Sequence, residues 1–336
     1  MVKGSGPSIR SVAALAGVSI ATVSNVLNGK ASVAPDIAAR VHAAVERLGY
    51  VRDSRAARLR SGNSRLIGVI VPDLTNPMFA AFVSALEHLV RREDYDLVVV
   101  SSANDPAEEA ERLRRIREWR PAGLIVLPCD GALAERLPPC PALPLVVADR
   151  IPDARRFDLV AVDNAASSGA VVRHLREQGA ADCLVVGTSL GISTIRERWE
   201  GAVAAAGTMP IAFVPVGFED HAPPALAERL RTAPPQAVFC LDHETTLAVY
   251  GLLRDLGLRA GADVAFASFD EKEWMRLVAP AVTAVRQPVE EMADCAWTML
   301  GRRIAGDEGP PRTRRLRCAV NFRGSTQRAA SERALP

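Results

Sequence analysis

IRSVAALAGVSIATVSNVLN, residues 9–28, reads as two short helices joined by a tight turn, the second left polar on its outer face. Val12, Leu15 and Ala16 recur at helical spacing and give the first helix one apolar side that must be covered. Gly17 supplies the turn, because without a Cβ it takes a positive φ at little cost, and Val18 plugs the corner. Ser19 stands where it can cap the second helix. Val23, Val26 and Leu27 form that helix's inner face, so Ile20, Ala21, Ser24, Asn25 and Asn28 point outward. These side chains fit a DNA groove. The same string also describes an ordinary helical hairpin; its place near the amino terminus, the Asn28-Gly29 stop and a third helix behind it favour the DNA-reading unit. That third helix opens at Pro35, carries Ile37, Val41, Val45 and Leu48 as its apolar stripe, and ends at Gly49, with Tyr50 closing a small core. Ala34 stands where a capping Ser or Asp would contribute ~1 kcal/mol.

The chain of 336 residues is long enough for two or three domains, and its 24% charged and 49% hydrophobic residues are those of a globular protein. Its net charge of +2 hides an asymmetry: residues 1–65 hold ten Lys or Arg against three Asp or Glu, and the remainder is mildly acidic. A basic head on an acidic body fits one polyanion-binding domain. Six cysteines, Cys129, Cys140, Cys183, Cys240, Cys295 and Cys318, show no C-x-x-C spacing, so neither a zinc site nor a disulfide framework is suggested and a reducing cytoplasm is the expected compartment. Neither a signal core nor an apolar run of the roughly 18 residues that a membrane span needs is present, so no membrane partner is expected. Enzyme motifs are missing as well: no G-x-S-x-G elbow, no G-x-x-x-x-G-K loop, no H-E-x-x-H and no G-x-G-x-x-G after a strand. The five histidines are dispersed, and no catalytic group, metal or cofactor is expected.

Residues 51–65, VRDSRAARLRSGNSR, carry five arginines and one or two helical turns around 56–60. A helix this short is marginal in water and needs a partner to persist. From Leu66 the pattern changes to apolar strands alternating with helical segments: LIGVIV (66–71), LVVVS (97–101), GLIVLP (123–128) and PLVVA (144–148), then CLVVG (183–187), IAFVPV (211–216), AVFCL (237–241) and DVAFASF (263–269). Such alternation implies parallel sheets with helices on both faces, here in two α/β lobes. Ligands in such sheets bind beyond the carboxyl ends of the strands, where residues 72–77, Asp149, Asp242 and Asp270 fall.

Nine strings in order carry a specific likeness: VAALAGVSIATVSNVLNG, RLGY (47–50), RAARLRSG (55–62), IGVIVPDLTNPMF (67–79), VVADR (146–150), RERWEG (196–201), SFD (268–270), TAVRQP (283–288) and RGST (323–326). On these the chain resembles the lactose repressor (LacI/GalR) family of bacterial transcription regulators along nearly its whole length. The resemblance implies a multidomain fold: an all-α helix-turn-helix headpiece (1–52), a hinge helix (53–65), a two-lobed α/β body like the periplasmic binding proteins (66–330) and a tail (331–336). It implies a homodimer on a palindromic DNA operator. By analogy Ile20, Ala21 and Asn25 match base-reading positions, Ser19, Thr22, Ser24 and Asn28 match phosphate contacts, and Leu59 matches a hinge leucine wedged into the minor groove beside Ala56, Arg58 and Arg60. An apolar wedge flanked by arginines suits a bent, narrow groove. Asn25 stands where the family often has Arg; Asn pairs bidentately with adenine, whereas Arg prefers guanine, so A or T is expected at the positions read. Arg52 and Asp53 replace the common Pro and Asn at the start of the hinge.

For a small-molecule effector the resemblance points to Asn76, Phe79 and Asp149 in the first lobe and Thr194, Arg198, Phe218, Asp242 and Asp270 in the second, with Trp274 at the rim or in a helix core. Carboxylates and an arginine suit hydroxyls or an acid group, and aromatic rings suit a sugar face. Asp242 and His243 stand where the family frequently has Asn and Asp. The string D-E-x-x-W (270–274) is similar to members that sense sugar acids, so a sugar, sugar acid or sugar phosphate is expected. The implied mechanism is allosteric: ligand-set lobe closure decides whether the two hinges of the dimer meet, form helices and insert Leu59. Two other functions use the same residues, a cytoplasmic solute binder with an idle headpiece and a transcriptional activator. The end, TQRAASERALP, lacks a leucine heptad, so a dimer rather than a tetramer is expected.

Overall fold

The computed structural model describes residues 7–27, 33–50, 64–137, 143–217, 223–327. They form two compact units, 1–64 and 65–336. Asn28, the hinge positions Ala56, Arg58, Leu59 and Arg60, and Phe218 lie outside the described residues.

The first unit holds α1 (Ile9–Ala16), α2 (Ile20–Leu27) and α3 (Pro35–Leu48). Ser8 caps α1, its hydroxyl accepting the Ser11 amide at 3.2 Å. Gly17 ends α1 in the left-handed conformation that the turn requires, at φ 62°. Ser19 then accepts the Thr22 amide at 3.0 Å and caps α2. Ala34 precedes α3 with no side-chain cap, and Pro35 occupies its first turn. The core is Val12, Ala13, Ala16, Val23, Val26, Val41 and Ala44, with Val18, Leu48 and Tyr50 packed against it. Leu15, expected inside, is 43% exposed. At about 100° per residue, Val12, Ala13 and Ala16 form one face and Leu15 falls a quarter-turn outside it. Arg40 of α3 donates to the carbonyls of Ala16 and Gly17, so a charged side chain pins the turn.

The second unit contains two six-stranded sheets. The first has the order β11-β5-β4-β3-β1-β2, from β1 (Leu66–Val71), β2 (Asp96–Ser101), β3 (Gly123–Val126), β4 (Leu145–Ala148), β5 (Asp158–Val162) and β11 (Thr313–Leu316). The second has the order β12-β10-β9-β8-β6-β7, from β6 (Cys183–Gly187), β7 (Ile211–Pro215), β8 (Ala237–Cys240), β9 (Ala265–Phe269), β10 (Thr283–Arg286) and β12 (Ala319–Asn321). All pairs are parallel except β10 with β12. Between them lie α4 (Pro77–Arg92), α5 (Pro106–Glu118), α6 (Leu133–Arg136), α7 (Asn164–Glu177), α8 (Ser193–Ala206), α9 (Pro224–Thr232), α10 (His243–Asp255), α11 (Trp274–Leu277) and α12 (Val289–Ile304).

Each sheet is buried on both faces, which is why its strands read as unbroken apolar runs. In the first lobe Phe82 and Leu86 of α4 meet Trp297 and Leu300 of α12 on one side, and Leu113 and Ile116 of α5 cover the other. In the second, α7 and α8 cover one face and α9 and α10 the other. The eight strands expected from the apolar runs are all present, divided between the lobes as expected. The order of the remaining elements was not expected. The chain crosses between lobes three times, at 163, at 287–288 and at 317–318, so α12 and β11 return to the first lobe after the second has been built. Among the described residues no single helix is long and apolar enough to cross a membrane.

Candidate functional site

In the first unit α2 presents Ile20, 45% exposed, together with exposed Ser19 and Ala21. Thr22, Ser24 and Asn25 are half-buried, and the Thr22 hydroxyl lies 2.8 Å from that of Ser19. The Ser8 and Ser19 caps at the amino ends of α1 and α2, with the Arg40 bond to the turn between them, hold this face in place.

In the second unit the carboxyl ends of the two sheets face each other across a cleft. Its lining includes Asn76, Phe79, Asp149, Thr194, Arg198, Asp242 and Asp270, so seven of the nine positions expected for effector contact converge. Asn76 caps α4, accepting the Met78 amide at 2.9 Å, and its Nδ2 crosses the cleft to donate to Glu244 Oε1 at 2.8 Å. The Ile151 amide donates to Ser193 Oγ at 2.7 Å, a second bond between lobes. Asp149 and Asp270 each follow a strand and adopt φ of 65° and 69°, a region unusual for residues other than glycine. Such local strain concentrates where side chains must be aimed.

Arg198 is 3% exposed. Its Nε donates to Asn164 Oδ1 at 2.8 Å and its Nη1 to the Leu241 carbonyl at 2.6 Å, while Nη1 lies 3.6 Å from Asp270 Oδ2. The guanidinium sits 3.6 Å above the centre of the Phe269 ring. Asp270 also accepts from Gln287 Nε2. Asp242 is held by the amides of Thr245 (2.8 Å) and Thr188 (2.9 Å), so it caps α10 as well as facing the cleft. Asp149 Oδ1 is buried with no partner among the described residues, and burial raises its pKa against the pull of Arg198 and Arg150. It is a buried acceptor in need of a donor.

Contributors that were not anticipated include Arg150, Glu244 and Thr188. Arg150 is buried beside Asp149, donating to the carbonyls of Pro128 (3.2 Å) and Cys129 (2.8 Å) and to Asn104 Oδ1 (3.1 Å), with Phe79 beneath it. Glu244 reaches the cleft from the first turn of α10, and Thr188 from the end of β6. The VVADR string contained Arg150, yet nothing in its spacing says that an arginine turns inward. Trp274 is not among the lining residues; it packs on Tyr250 at 5.0 Å between ring centres. The helix-core alternative therefore describes its packing, because α10 offers Tyr250 as a closer apolar neighbour than the rim.

The cleft cavity measures about 40 Å³, far below the ~300 Å³ and more of small-molecule pockets. The lobes are therefore closed on each other, and a sugar-sized ligand requires them to part. A larger hollow of about 840 Å³ opens at the opposite, amino-terminal ends of the first-lobe strands. Its charged pair Arg303 and Asp158 is already joined at 2.7 Å, so the polar groups that converge on one point are those of the cleft. Among the described residues no cluster of His, Cys, Asp and Glu could hold a metal ion.

A helix-turn-helix unit followed by a two-lobed α/β body with a polar inter-lobe cleft defines a DNA-binding transcription regulator of the periplasmic-binding-protein type. Residues 8–53 match the model for bacterial regulatory proteins of the lacI family, and residues 172–326 match that for the periplasmic binding protein-like domain. The HTH-type transcriptional regulator PtxS of Pseudomonas putida is 33% identical over 326 residues, covering 95% of this chain and 96% of that protein. Among solved structures, the lac repressor dimer bound to operator and the anti-inducer ONPF superposes with a TM-score of 0.81 at 21% identity, over 96% of this chain and 99% of that one. The complex of the transcriptional regulator CelR with cellobiose gives 0.69 at 24% identity, over 95% and 99%. The chain belongs to the lacI family of bacterial transcription regulators and is not an enzyme.

Proposed function

We propose that this protein is a cytoplasmic repressor that binds a palindromic operator as a homodimer and is controlled by a sugar or sugar-acid effector held between its lobes. The observation that carries this reading is the convergence of Asn76, Asp149, Arg198, Asp242 and Asp270 on one closed cleft, in a chain that also carries a capped helix with Ser19, Ile20 and Ala21 exposed on its outer side. The division of labour is residues 1–52 for DNA, 53–65 for the hinge, 66–330 for effector and dimer, and 331–336 as tail. Polar groups of both signs suit hydroxyls and acid groups, and a lobe-closing fold shared with a cellobiose-bound regulator supports a sugar-like ligand. Ser19, Thr22, Ser24 and Asn28 hold phosphates, Ile20, Ala21 and Asn25 read bases, and Leu59 enters the minor groove beside Ala56, Arg58 and Arg60. Phe218 adds an aromatic face to the effector site. Effector and operator are coupled by ~1–3 kcal/mol, reciprocally.

Mobility shift of the protein's own upstream region, with sugars, sugar acids and sugar phosphates added, tests this. Sequence-specific binding changed by one compound is expected. Weak, salt-sensitive, sequence-blind binding unchanged by every compound overturns the reading. In the same assay Asn25→Ala should relax a preference for A or T at one half-site position by ~1–3 kcal/mol. A guanine preference that survives the substitution removes Asn25 from base reading.

A further inference from the structure

We propose that Glu197 is a positioning residue for Arg198: ion-paired to Arg315 of the first lobe, it orients Asn164, and Asn164 in turn holds the guanidinium at its angle into the cleft. The proposal deepens the reading above and rests on it, since it takes Arg198 as an effector contact.

The bonds run from one lobe into the other. Arg315 lies on β11 at the edge of the first sheet, in register with Ala161 of β5. Its Nη2 donates to Glu197 Oε1 at 2.7 Å and its Nη1 to Glu197 Oε2 at 3.1 Å, a two-pronged pair with α8 of the second lobe. Glu197 Oε2 also accepts from Asn164 Nδ2 at 3.1 Å. Asn164 Oδ1 then accepts from Arg198 Nε at 2.8 Å. Glu197 and Arg198 are consecutive on a helix and so point about 100° apart, which is why an intermediary at the start of α7 joins them.

The chemistry allows the Asn164 amide one orientation. A carboxylate only accepts and a guanidinium only donates, so Nδ2 must face Glu197 and Oδ1 must face Arg198. Asn164 is fully buried, and a flipped amide would set N–H against N–H and oxygen against oxygen there. Without Glu197, Nδ2 keeps the Val162 carbonyl at 3.5 Å, the outer limit of a hydrogen bond. Losing the Nε bond would leave Arg198 the Leu241 carbonyl at one nitrogen and the Phe269 ring on one face, so the guanidinium could turn in its own plane about Nη1.

Asn164 follows the first crossing between lobes and Arg315 precedes the third, and the Asp163 amide donates to the Leu316 carbonyl at 2.8 Å, so these two connections run side by side. Lobes that part while joined there move least at that place. The relay therefore stays made in the parted cleft, and Arg198 is already aimed when a ligand arrives, which spares the cost of ordering it.

Arginine side-chain proton–nitrogen correlation spectroscopy of the isotope-labelled full-length protein, without effector or DNA, reads this directly. The Arg198 Nε–H signal is assigned by its loss in Arg198→Lys, and its hydrogen exchange reports how well Asn164 holds it. Glu197→Ala should shift this signal and speed its exchange by about tenfold or more, the scale of a lost hydrogen bond to a charged group. Arg315→Ala should move it the same way by about two- to fivefold, because this pair stands partly in solvent. Arg315→Lys keeps a cation beside Glu197 and should return part of the effect. Arg303 Nε, which donates to Asp158 at 2.7 Å within the first lobe, should stay as it is in all three. An Arg198 signal that matches wild type in Glu197→Ala and Arg315→Ala overturns the relay. So does exchange that quickens equally at Arg303, because that is general loosening rather than positioning. If Glu197→Ala does not fold, Arg315→Ala decides alone. None of these outcomes involves effector identity or operator binding, so failure here is distinct from failure of the proposed function.

Discussion

Arg198→Ala is expected to raise the effector concentration needed to change operator binding by ~100-fold, the scale set by hydrogen bonds of charged groups worth ~1.5–3 kcal/mol. The guanidinium has one edge on Asn164 and the Leu241 carbonyl and one face on Phe269, so it meets the cleft in a single orientation. Its removal leaves Asp149, Asp242, Glu244 and Asp270 with Arg150 as the remaining cation lining the cavity. Uncovering buried charge in this way costs ~3–5 kcal/mol, so the body should also melt earlier. Arg198→Lys keeps the charge and loses the planar fork, and should recover stability more than response. Effector titration by mobility shift and urea unfolding of the same samples separate the two effects. A variant that responds at wild-type concentrations would mean that Arg198 only supports the fold.

Gly201→Ala is expected to cost about 3 kcal/mol or more, read as a lower urea midpoint at unchanged slope. At Gly201 helix α8 crosses α7 so closely that an added methyl would overlap the Ala165 carbonyl oxygen and lie 2.5 Å from the Ala165 Cα. Those atoms are backbone and cannot rotate away. Gly169 lies on the same crossing, where its own added methyl would sit 3.2 Å from the Gly201 carbonyl oxygen. The helices must separate, and α8 carries Thr194 and Arg198, so cleft geometry should suffer along with stability. Wild-type stability in this variant would show that α7 and α8 slide apart at little cost.

Much of the fold was legible in the sequence because its signals are local. The turn at Gly17, the cap at Ser19 and the stop at Gly49 each follow from one residue's backbone preferences, and strands buried on both faces announce themselves as apolar runs. The strand-end rule brought Asn76, Asp149, Asp242 and Asp270 to one place without any knowledge of contacts. What escaped depended on distance in space. β11 is a sheet edge whose arginines give no apolar run, and β12 is three residues long. Arg150 and Glu244 look like surface charges until the opposite lobe covers each of them. Leu15 carries the right chemistry on the wrong side of its helix, a quarter-turn error that spacing alone could not exclude.

The three crossings between lobes also fix an order of assembly. On the ribosome, β1 to β5 emerge before any of the second lobe, but the helix that covers Phe82 and Leu86 and the strand that completes the sheet edge follow some 125 and 150 residues later. The first lobe thus waits without α12 and β11 while all of the second but β12 and the residues after it is synthesised. Neither lobe is a segment that could be cut out and expressed alone. The two can part without separating because three strands of covalent chain, rather than a flexible tether, join them at one side of the cleft.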